Sequence, residues 1–143
     1  MLKGISPLIS PELLKVLCEM GHGDEIVLAD ANFPSETTGK RVIRADGIGA
    51  VDLLKAILPL FPLDTYEKDR FILMEVVPGD PVVPVIWDKY KEILNEQEPD
   101  TPVEFMERFA YYERAKNAYC VVATGETAQY ANIILKKGVV YTD

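Results

Sequence analysis

A single histidine, His22, stands between two glycines in Gly21-His22-Gly23-Asp24-Glu25. It directly precedes the apolar run Ile26-Val27-Leu28-Ala29 and the carboxylate Asp30. An imidazole with an ordinary pKa of about 6.5 gives and takes protons near neutral pH, and flanking glycines leave it uncrowded. The apolar run reads as a short buried strand. In open α/β sheets ligands sit beyond the C-terminal ends of strands; Asp30 stands at such an end and His22 at the opposite one. An extended chain rising ~3.3 Å per residue separates them widely. They share a pocket only if the glycine loop folds back or if the pocket lies between subunits. Taken alone, His22 also reads as an idle loop histidine after a helix, and Asp30 as a strand-end or Asx-turn carboxylate.

Two more segments carry polar groups at useful spacing. In Glu107-Arg108-Phe109-Ala110-Tyr111-Tyr112-Glu113-Arg114, Tyr112 lies four residues after Arg108, so a continuous helix presents both on one face. The guanidinium is a rigid fork for hydroxyl or carboxylate oxygens; the phenol offers a stacking face and a polar tip. A salt-bridged surface helix explains the same pattern without function. In Thr124-Gly125-Glu126-Thr127-Ala128-Gln129-Tyr130-Ala131-Asn132 a strand ends, a tight turn carries polar groups and a last strand begins. Asn132 both donates and accepts, which suits a sugar hydroxyl, although ordinary turn chemistry accounts for it too. Asp64, after Leu60-Phe61-Pro62-Leu63, reads first as a turn residue and second as a polar group at a pocket edge.

Other chemistries find little support. Asp46-Gly47-Ile48-Gly49 matches only part of a dinucleotide fingerprint, because position 52 is Asp rather than the third glycine. No Ser or Cys is marked as a nucleophile partnered with the histidine. One histidine and no paired-cysteine motif leave a metal site nothing to build from. Cys18 and Cys120 each sit among apolar neighbours and read as buried small hydrophobes, unbridged in a reducing compartment.

The elements that must position these groups follow from pattern. Ser10 caps a first helix, Pro11 suits its first position, and Gly21 or Gly23 ends it. Glu25–Ala29 is a strand, residues 32–39 a loop and Arg41–Arg44 a second strand. A helix runs over roughly Ala50 to Leu58. Arg70–Val77 is a strand broken by Pro78-Gly79-Asp80-Pro81, and residues 85–97 are amphipathic. Val103–Arg108 reads as a strand, Phe109–Asn117 as a helix and Tyr119–Ala123 as a strand. A helical turn at Glu126–Tyr130 and a final strand at Asn132–Lys136 complete the chain. Strands alternating with helices make the class α/β: one domain over 1–143, a mostly parallel or mixed sheet flanked by helices.

Composition limits the partners. The 143 residues are 48% apolar, enough for a core, and carry a net charge of −8 from 15 basic and 23 acidic residues. The basic residues are scattered, Lys136-Lys137 being the densest pair, so neither nucleic acid nor an anionic membrane surface is expected as a partner. No apolar run approaches the roughly 20 residues of a membrane span, and the first residues lack a signal-peptide pattern; a cytoplasmic location is the expectation.

Read in order, these segments resemble the L-fucose mutarotase family, which is related to D-ribose pyranase. The resemblance rests on Ile9-Ser10-Pro11-Glu12-Leu13-Leu14, Met20 through Glu25, Ala29-Asp30-Ala31-Asn32-Phe33-Pro34, Ile43-Arg44-Ala45-Asp46-Gly47 and Pro62-Leu63-Asp64-Thr65-Tyr66. It continues through Arg108-Phe109, Tyr112-Glu113-Arg114-Ala115, Thr124-Gly125-Glu126, Tyr130-Ala131-Asn132 and Leu135-Lys136-Lys137-Gly138-Val139. It implies a ribose-pyranase/fucose-mutarotase-like fold and an isomerase without cofactor or metal. It makes His22 the acid, and Asp30, Arg108 and Tyr130-Ala131-Asn132 the sugar contacts. Tyr112 becomes a site tyrosine and Asp64 a further polar contact. It also implies ring-like homo-oligomers, commonly decamers, with pockets at subunit contacts, which answers the distance between His22 and Asp30. Two positions depart from the family pattern: Ala131 stands where glycine is common, and Asn32 where some bacterial members have histidine.

Anomer exchange needs the ring to open and reclose. A base takes the anomeric hydroxyl proton while an acid protonates the ring oxygen. The expectation is that His22 donates, Asp30 orients it or holds hydroxyls, Tyr112 or Tyr130 transfers the second proton, and Arg108 and Asn132 bind hydroxyls. The alternatives are a pyranose–furanose interconversion of ribose, a non-catalytic sugar-binding protein of the same fold, and a purely structural oligomeric domain.

Overall fold

A computed structural model describes residues 1–142. Helix α1 (Pro11–Glu19) begins where the Ser10 hydroxyl accepts the Leu13 N–H at 3.1 Å, a cap that contributes about 1 kcal/mol. Its inward stripe is Leu13, Val16, Leu17 and Met20. That phase leaves Cys18 exposed, so only Cys120 is a buried cysteine, and both are free. The helix stops at extended Met20, and the left-handed backbone needed to enter the next strand is supplied by Gly23 at φ +87°.

The elements then run β1 (Glu25–Ala29), α2 (Ser35–Thr38), β2 (Val42–Ala45), α3 (Ala50–Ile57) with a 3-10 turn at Leu58–Leu60, β3 (Phe71–Met74) and α4 (Ile86–Gln97). They continue with β4 (Glu104–Met106), α5 (Arg108–Lys116), β5 (Cys120–Thr124) and β6 (Ile133–Lys136). The six strands form one sheet in the order β2-β5-β1-β6-β3-β4. β6 is antiparallel to both its neighbours, β1 and β3, while β1–β5, β2–β5 and β3–β4 pair in parallel. The sheet is therefore mixed, with one reversed strand near its middle.

Alternation along β1 divides the core. Ile26 and Leu28 face the side packed by Leu13, Leu54, Tyr90 and Ile93 from α1, α3 and α4. Val27 and Ala29 face the side packed by Phe33, Tyr111 and Ala115. Both faces are covered, which is why β1, β3 and β5 read as near-continuous apolar runs.

Four local expectations change. The loop at 32–39 holds the one-turn helix α2, whose Gly39 N–H closes on the Ser35 carbonyl. The strand at 70–77 pairs only over Phe71–Met74, because beyond it the chain turns away around left-handed Gly79. The strand expected to reach Arg108 ends at Met106, since Glu107 caps α5 by accepting the Ala110 N–H at 3.0 Å. The expected helical turn at 126–130 is a tight non-helical turn instead, with Tyr130 itself left-handed at φ +58°. A left-handed non-glycine residue needs outside support.

Candidate active site

The reversed direction of β6 brings two distant segments together. Because Leu28 registers with Ile133, the start of β6 lies beside the end of β1. The Asp30 backbone N–H donates to the Asn132 side-chain oxygen at 2.8 Å, 102 residues apart in sequence. Asp30 is 8% exposed and Asn132 5%. The Asp30 carboxylate accepts the Asn32 N–H at 3.0 Å. Burial pushes the Asp30 pKa above the ordinary carboxylate range, opposed by hydrogen bonds from Asn32, Phe33, Ala131 and Asn132.

Around this pair opens a cavity of about 250 Å³. One side is Asp30, Asn32 and Phe33, the segment after β1. A second is Arg108 and Tyr112 of α5, the i, i+4 pair on a single helix face. The remaining wall is Gln129, Tyr130 and Asn132, with Met74, Val77 and Asp80 from the end of β3 and the loop after it. The place is the C-terminal edge of β1 and β3, where open α/β sheets bind ligands. Tyr112 packs against Phe33, ring centroids 5.5 Å apart. Among the described residues no carboxylate forms an ion pair with Arg108, so its fork of donors is uncommitted. Helix α5 is anchored at its other end. Arg114 donates to Glu25 at the start of β1 and to Asp69 before β3, at 3.0 Å through Nε and 2.6 Å through Nη1.

The turn that presents Tyr130 and Asn132 is held from α4. Trp87 Nε1 donates to the Tyr130 carbonyl at 2.8 Å, and the Tyr90 hydroxyl donates to the Ala131 carbonyl at 2.8 Å. These two bonds support the left-handed residue. Ala131 is fully buried, so it reaches the site through its backbone and not through its side chain. The Tyr130 hydroxyl donates to Asp80 Oδ2 at 2.5 Å and accepts the Val77 N–H at 3.3 Å. Asp80 raises the Tyr130 pKa, and burial adds to it.

His22 and Asp64 lie elsewhere. The glycine loop does not fold back: the Gly23 N–H is tied to the Lys137 carbonyl at the far end of β6. His22 Nε2 meets Asp64 Oδ1 at 3.1 Å. A five-residue strand separates this end from the cavity by roughly 17 Å. Asp64 is 3% exposed, held in place by its own N–H donating to the Lys136 carbonyl, and its carboxylate also accepts the Tyr66 N–H at 3.1 Å. Burial alone raises its pKa, but the hydrogen bonds from His22 and Tyr66 outweigh that and hold it below the ordinary value. The imidazole is half-exposed, its ring centroid 5.4 Å from that of Tyr66. Asp64 is thus the partner of His22 and not part of the cavity rim in this chain.

Of the eight site residues expected from sequence, the fold gathers Asp30, Arg108, Tyr112, Tyr130 and Asn132 at one cavity, keeps Ala131 buried beside it with its carbonyl taken by Tyr90, and pairs His22 with Asp64 at the opposite edge. Asp80, Val77, Met74, Gln129 and Phe33 were not anticipated. Asp80 stood in plain view in Pro78-Gly79-Asp80-Pro81, but that segment signals only a broken strand.

Residues 3–140 match the model of the RbsD / FucU transport protein family. The chain belongs to this family. An L-fucose mutarotase of Actinobacillus pleuropneumoniae serotype 5b is 56% identical over 140 residues, 97% of each chain. A fucose mutarotase from Streptococcus pneumoniae, solved in complex with L-fucose, superposes with a TM-score of 0.94 at 52% identity, covering 98% of this chain and all of that one. FucU from Bifidobacterium longum gives the same TM-score at 58% identity, over 97% of this chain and all of that one. The RbsD / FucU fold thus accounts for the whole sheet, including the reversed β6 on which the cavity depends. No helix among the described residues is long and apolar enough to cross a membrane, and none of their His, Cys, Asp and Glu side chains cluster as a metal site.

Proposed function

We propose that this chain is an L-fucose mutarotase, an isomerase that exchanges the α and β anomers of the free sugar by opening and reclosing its ring. The observation that carries the reading is the cavity itself. It combines a buried carboxylate, an uncommitted guanidinium, an amide and two phenols around a space fit for one monosaccharide. The 56% identical relative is an L-fucose mutarotase, and the structurally similar Streptococcus protein holds L-fucose.

In this mechanism Arg108 and Asn132 hold sugar hydroxyls, Asp30 accepts from them, and Tyr112 stacks on the ring. A phenol of the cavity takes the proton of the anomeric hydroxyl. The bond from the anomeric carbon to the ring oxygen breaks as an acid protonates that oxygen, and the aldehyde rotates and recloses on its other face. No group transfer or redox change occurs, so positioned acid–base chemistry worth about 10²–10⁴-fold suffices.

The acid is His22, and it comes from a neighbouring copy. The cavity of one chain contains no histidine, whereas His22 is half-exposed at the opposite edge of the sheet. Ionised Asp64 only accepts hydrogen bonds, so it holds one hydrogen on Nε2; in the imidazolium form Nδ1 carries the second hydrogen, which passes to the ring oxygen and returns on reclosure. Val83, Val85, Phe105, Phe109, Val139, Val140 and Tyr141 are exposed large apolar residues, more than a monomer ordinarily shows in adjoining stretches. They support a closed homo-oligomer with each cavity completed across a contact; a ring-like decamer is the form that the family resemblance implies. The free cysteines suit the reducing cytoplasm.

The test is anomer exchange of L-fucose followed by saturation-transfer NMR. Wild type is expected to accelerate it, and His22→Ala and Asp30→Asn are each expected to be nearly inactive. Unfolding the two variants together and refolding them as mixed oligomers restores part of the activity if acid and cavity belong to different chains. Exchange at the spontaneous rate in the presence of wild type overturns the catalytic reading, and tight fucose binding without acceleration makes the protein a binder. Faster exchange of ribose ring forms than of fucose anomers reassigns the substrate.

A further inference from the structure

One charged group at the cavity has no role in the reaction so far. Asp80 lines it, stands on the loop after β3, and is the partner of the Tyr130 hydroxyl. Its other carboxylate oxygen accepts the Val82 N–H at 3.1 Å, which locks the carboxylate in place. A phenol has one hydrogen and room to accept two. Tyr130 spends the hydrogen on Asp80 and one acceptor site on the Val77 N–H. Facing the cavity it retains one acceptor site and no donor.

We infer that Tyr130 and Asp80 form a two-step proton relay that serves as the base of the reaction. The inference rests on the mutarotase reading above and deepens it by naming the base. The anomeric hydroxyl donates its proton to the Tyr130 oxygen while Tyr130 passes its own proton to Asp80 Oδ2. The electron pair of the O–H bond becomes the second bond of the aldehyde, and the pair of the carbon–ring-oxygen bond is protonated by the acid. On reclosure every proton returns. Tyr130 never becomes a free phenolate, which matters because Asp80 and burial raise its pKa above the ordinary tyrosine value of about 10. Asp80 is held below the ordinary carboxylate range by its bonds to Tyr130 and the Val82 N–H, so at neutral pH it is ionised and ready to accept. Arg108 is the cation facing Tyr130 from α5 and Asp30 the second carboxylate of the cavity; Tyr112 is the other phenol. Asp80 acts through Tyr130 and is a positioning and proton-accepting residue, not itself a sugar contact.

The discriminating variant is Asp80→Asn, whose amide oxygen still accepts from the phenol but takes no proton. L-fucose exchange is measured by NMR with the enzyme-free rate subtracted at each pH. Expected is a loss of about 10²-fold in kcat at neutral pH, with half-saturation by fucose unchanged. The lost rate returns as pH rises through the Tyr130 pKa, because the phenolate then takes the proton directly. Asp80→Glu recovers much of the neutral rate. The double variant Asp80→Asn/Tyr130→Phe shows no alkaline recovery. Thermal melting of each variant separates misfolding from lost chemistry, and the Glu variant carries the test if the Asn variant does not fold. Neutral activity of Asp80→Asn equal to wild type overturns the relay, as does a uniform loss with no alkaline recovery or a rise in half-saturation at unchanged kcat. In each of those cases wild-type exchange stands, so the relay fails while the mutarotase reading survives. Absence of exchange by wild type removes both.

Discussion

The two ends of β1 carry a buried carboxylate each, Asp30 at the C-terminal end and Asp64 packed against the N-terminal one, and their pKa values are shifted in opposite directions. Asp30 accepts the Asn32 N–H, yet burial dominates and raises its pKa. Asp64 is as inaccessible to solvent but lies close to the surface with less protein around it, and hydrogen bonds from His22 and the Tyr66 N–H overcome the smaller burial penalty and lower its pKa. The direction follows from the balance between enclosure by protein and the hydrogen bonds each carboxylate accepts. One carboxylate lines a polar cavity where a ligand can complete its shell, and the other already has its cation-forming partner. A site kept ready for substrate gives up stability that a satisfied pair retains.

That contrast is open to direct attack. The largest expected effect is on catalysis. His22→Ala and Asp30→Asn each lower fucose exchange by about 10²–10⁴-fold although one alters each end of β1; full activity in either, by saturation-transfer NMR, breaks the proposal that the two ends serve one reaction. On stability the same ends diverge. Asp64→Asn is expected to lose about 1–3 kcal/mol at neutral pH because it weakens a buried charge-assisted pair, whereas Asp30→Asn is expected to be no less stable than wild type. Urea unfolding of both variants measures this, and equal losses would erase the difference between the two carboxylates.

Support of the left-handed turn gives a smaller effect. Tyr90→Phe leaves the buried Ala131 carbonyl unsatisfied at a cost of about 1–3 kcal/mol, and Trp87→Phe removes the bond to Tyr130 at about 1 kcal/mol. Both are expected to raise half-saturation by fucose, since the turn carries Tyr130 and Asn132.

The smallest signal is the shape of stability against pH. Asp64, lowered in the folded state, adds stability above the ordinary carboxylate value of about 3.9, and that stability is lost as pH falls through its lower folded pKa. Asp30, raised in the folded state, adds stability below about 3.9 that is lost as pH rises through its higher folded pKa. Relative to wild type, the deficit of Asp64→Asn therefore shrinks in acid, while the relative gain of Asp30→Asn grows between about pH 4 and neutrality. Urea melts across that range read both slopes.

Much of the architecture was legible because local chemistry and burial agree. Ser10-Pro11, the apolar runs at 26–29 and 121–123 and the i, i+4 pair Arg108 and Tyr112 each carry their own period and caps. Where they competed, the reading missed. Glu107 looked like the tail of a strand until its carboxylate was seen to cap α5. Gln129-Tyr130 looked helical because the propensity of a segment says nothing of two donors arriving from α4.

The sequence by itself determined which side chains are available for proton transfer and sugar binding, the alternation that buries the sheet on both faces, and the separation of His22 from Asp30 along one strand. Only the tertiary structure decided which of them meet. The reversal of β6 seats Asn132 against Asp30, ties Gly23 to Lys137, and leaves His22 with Asp64 at the far edge. Strand direction and register come from packing against the whole sheet, and a strand of four residues does not encode its own orientation.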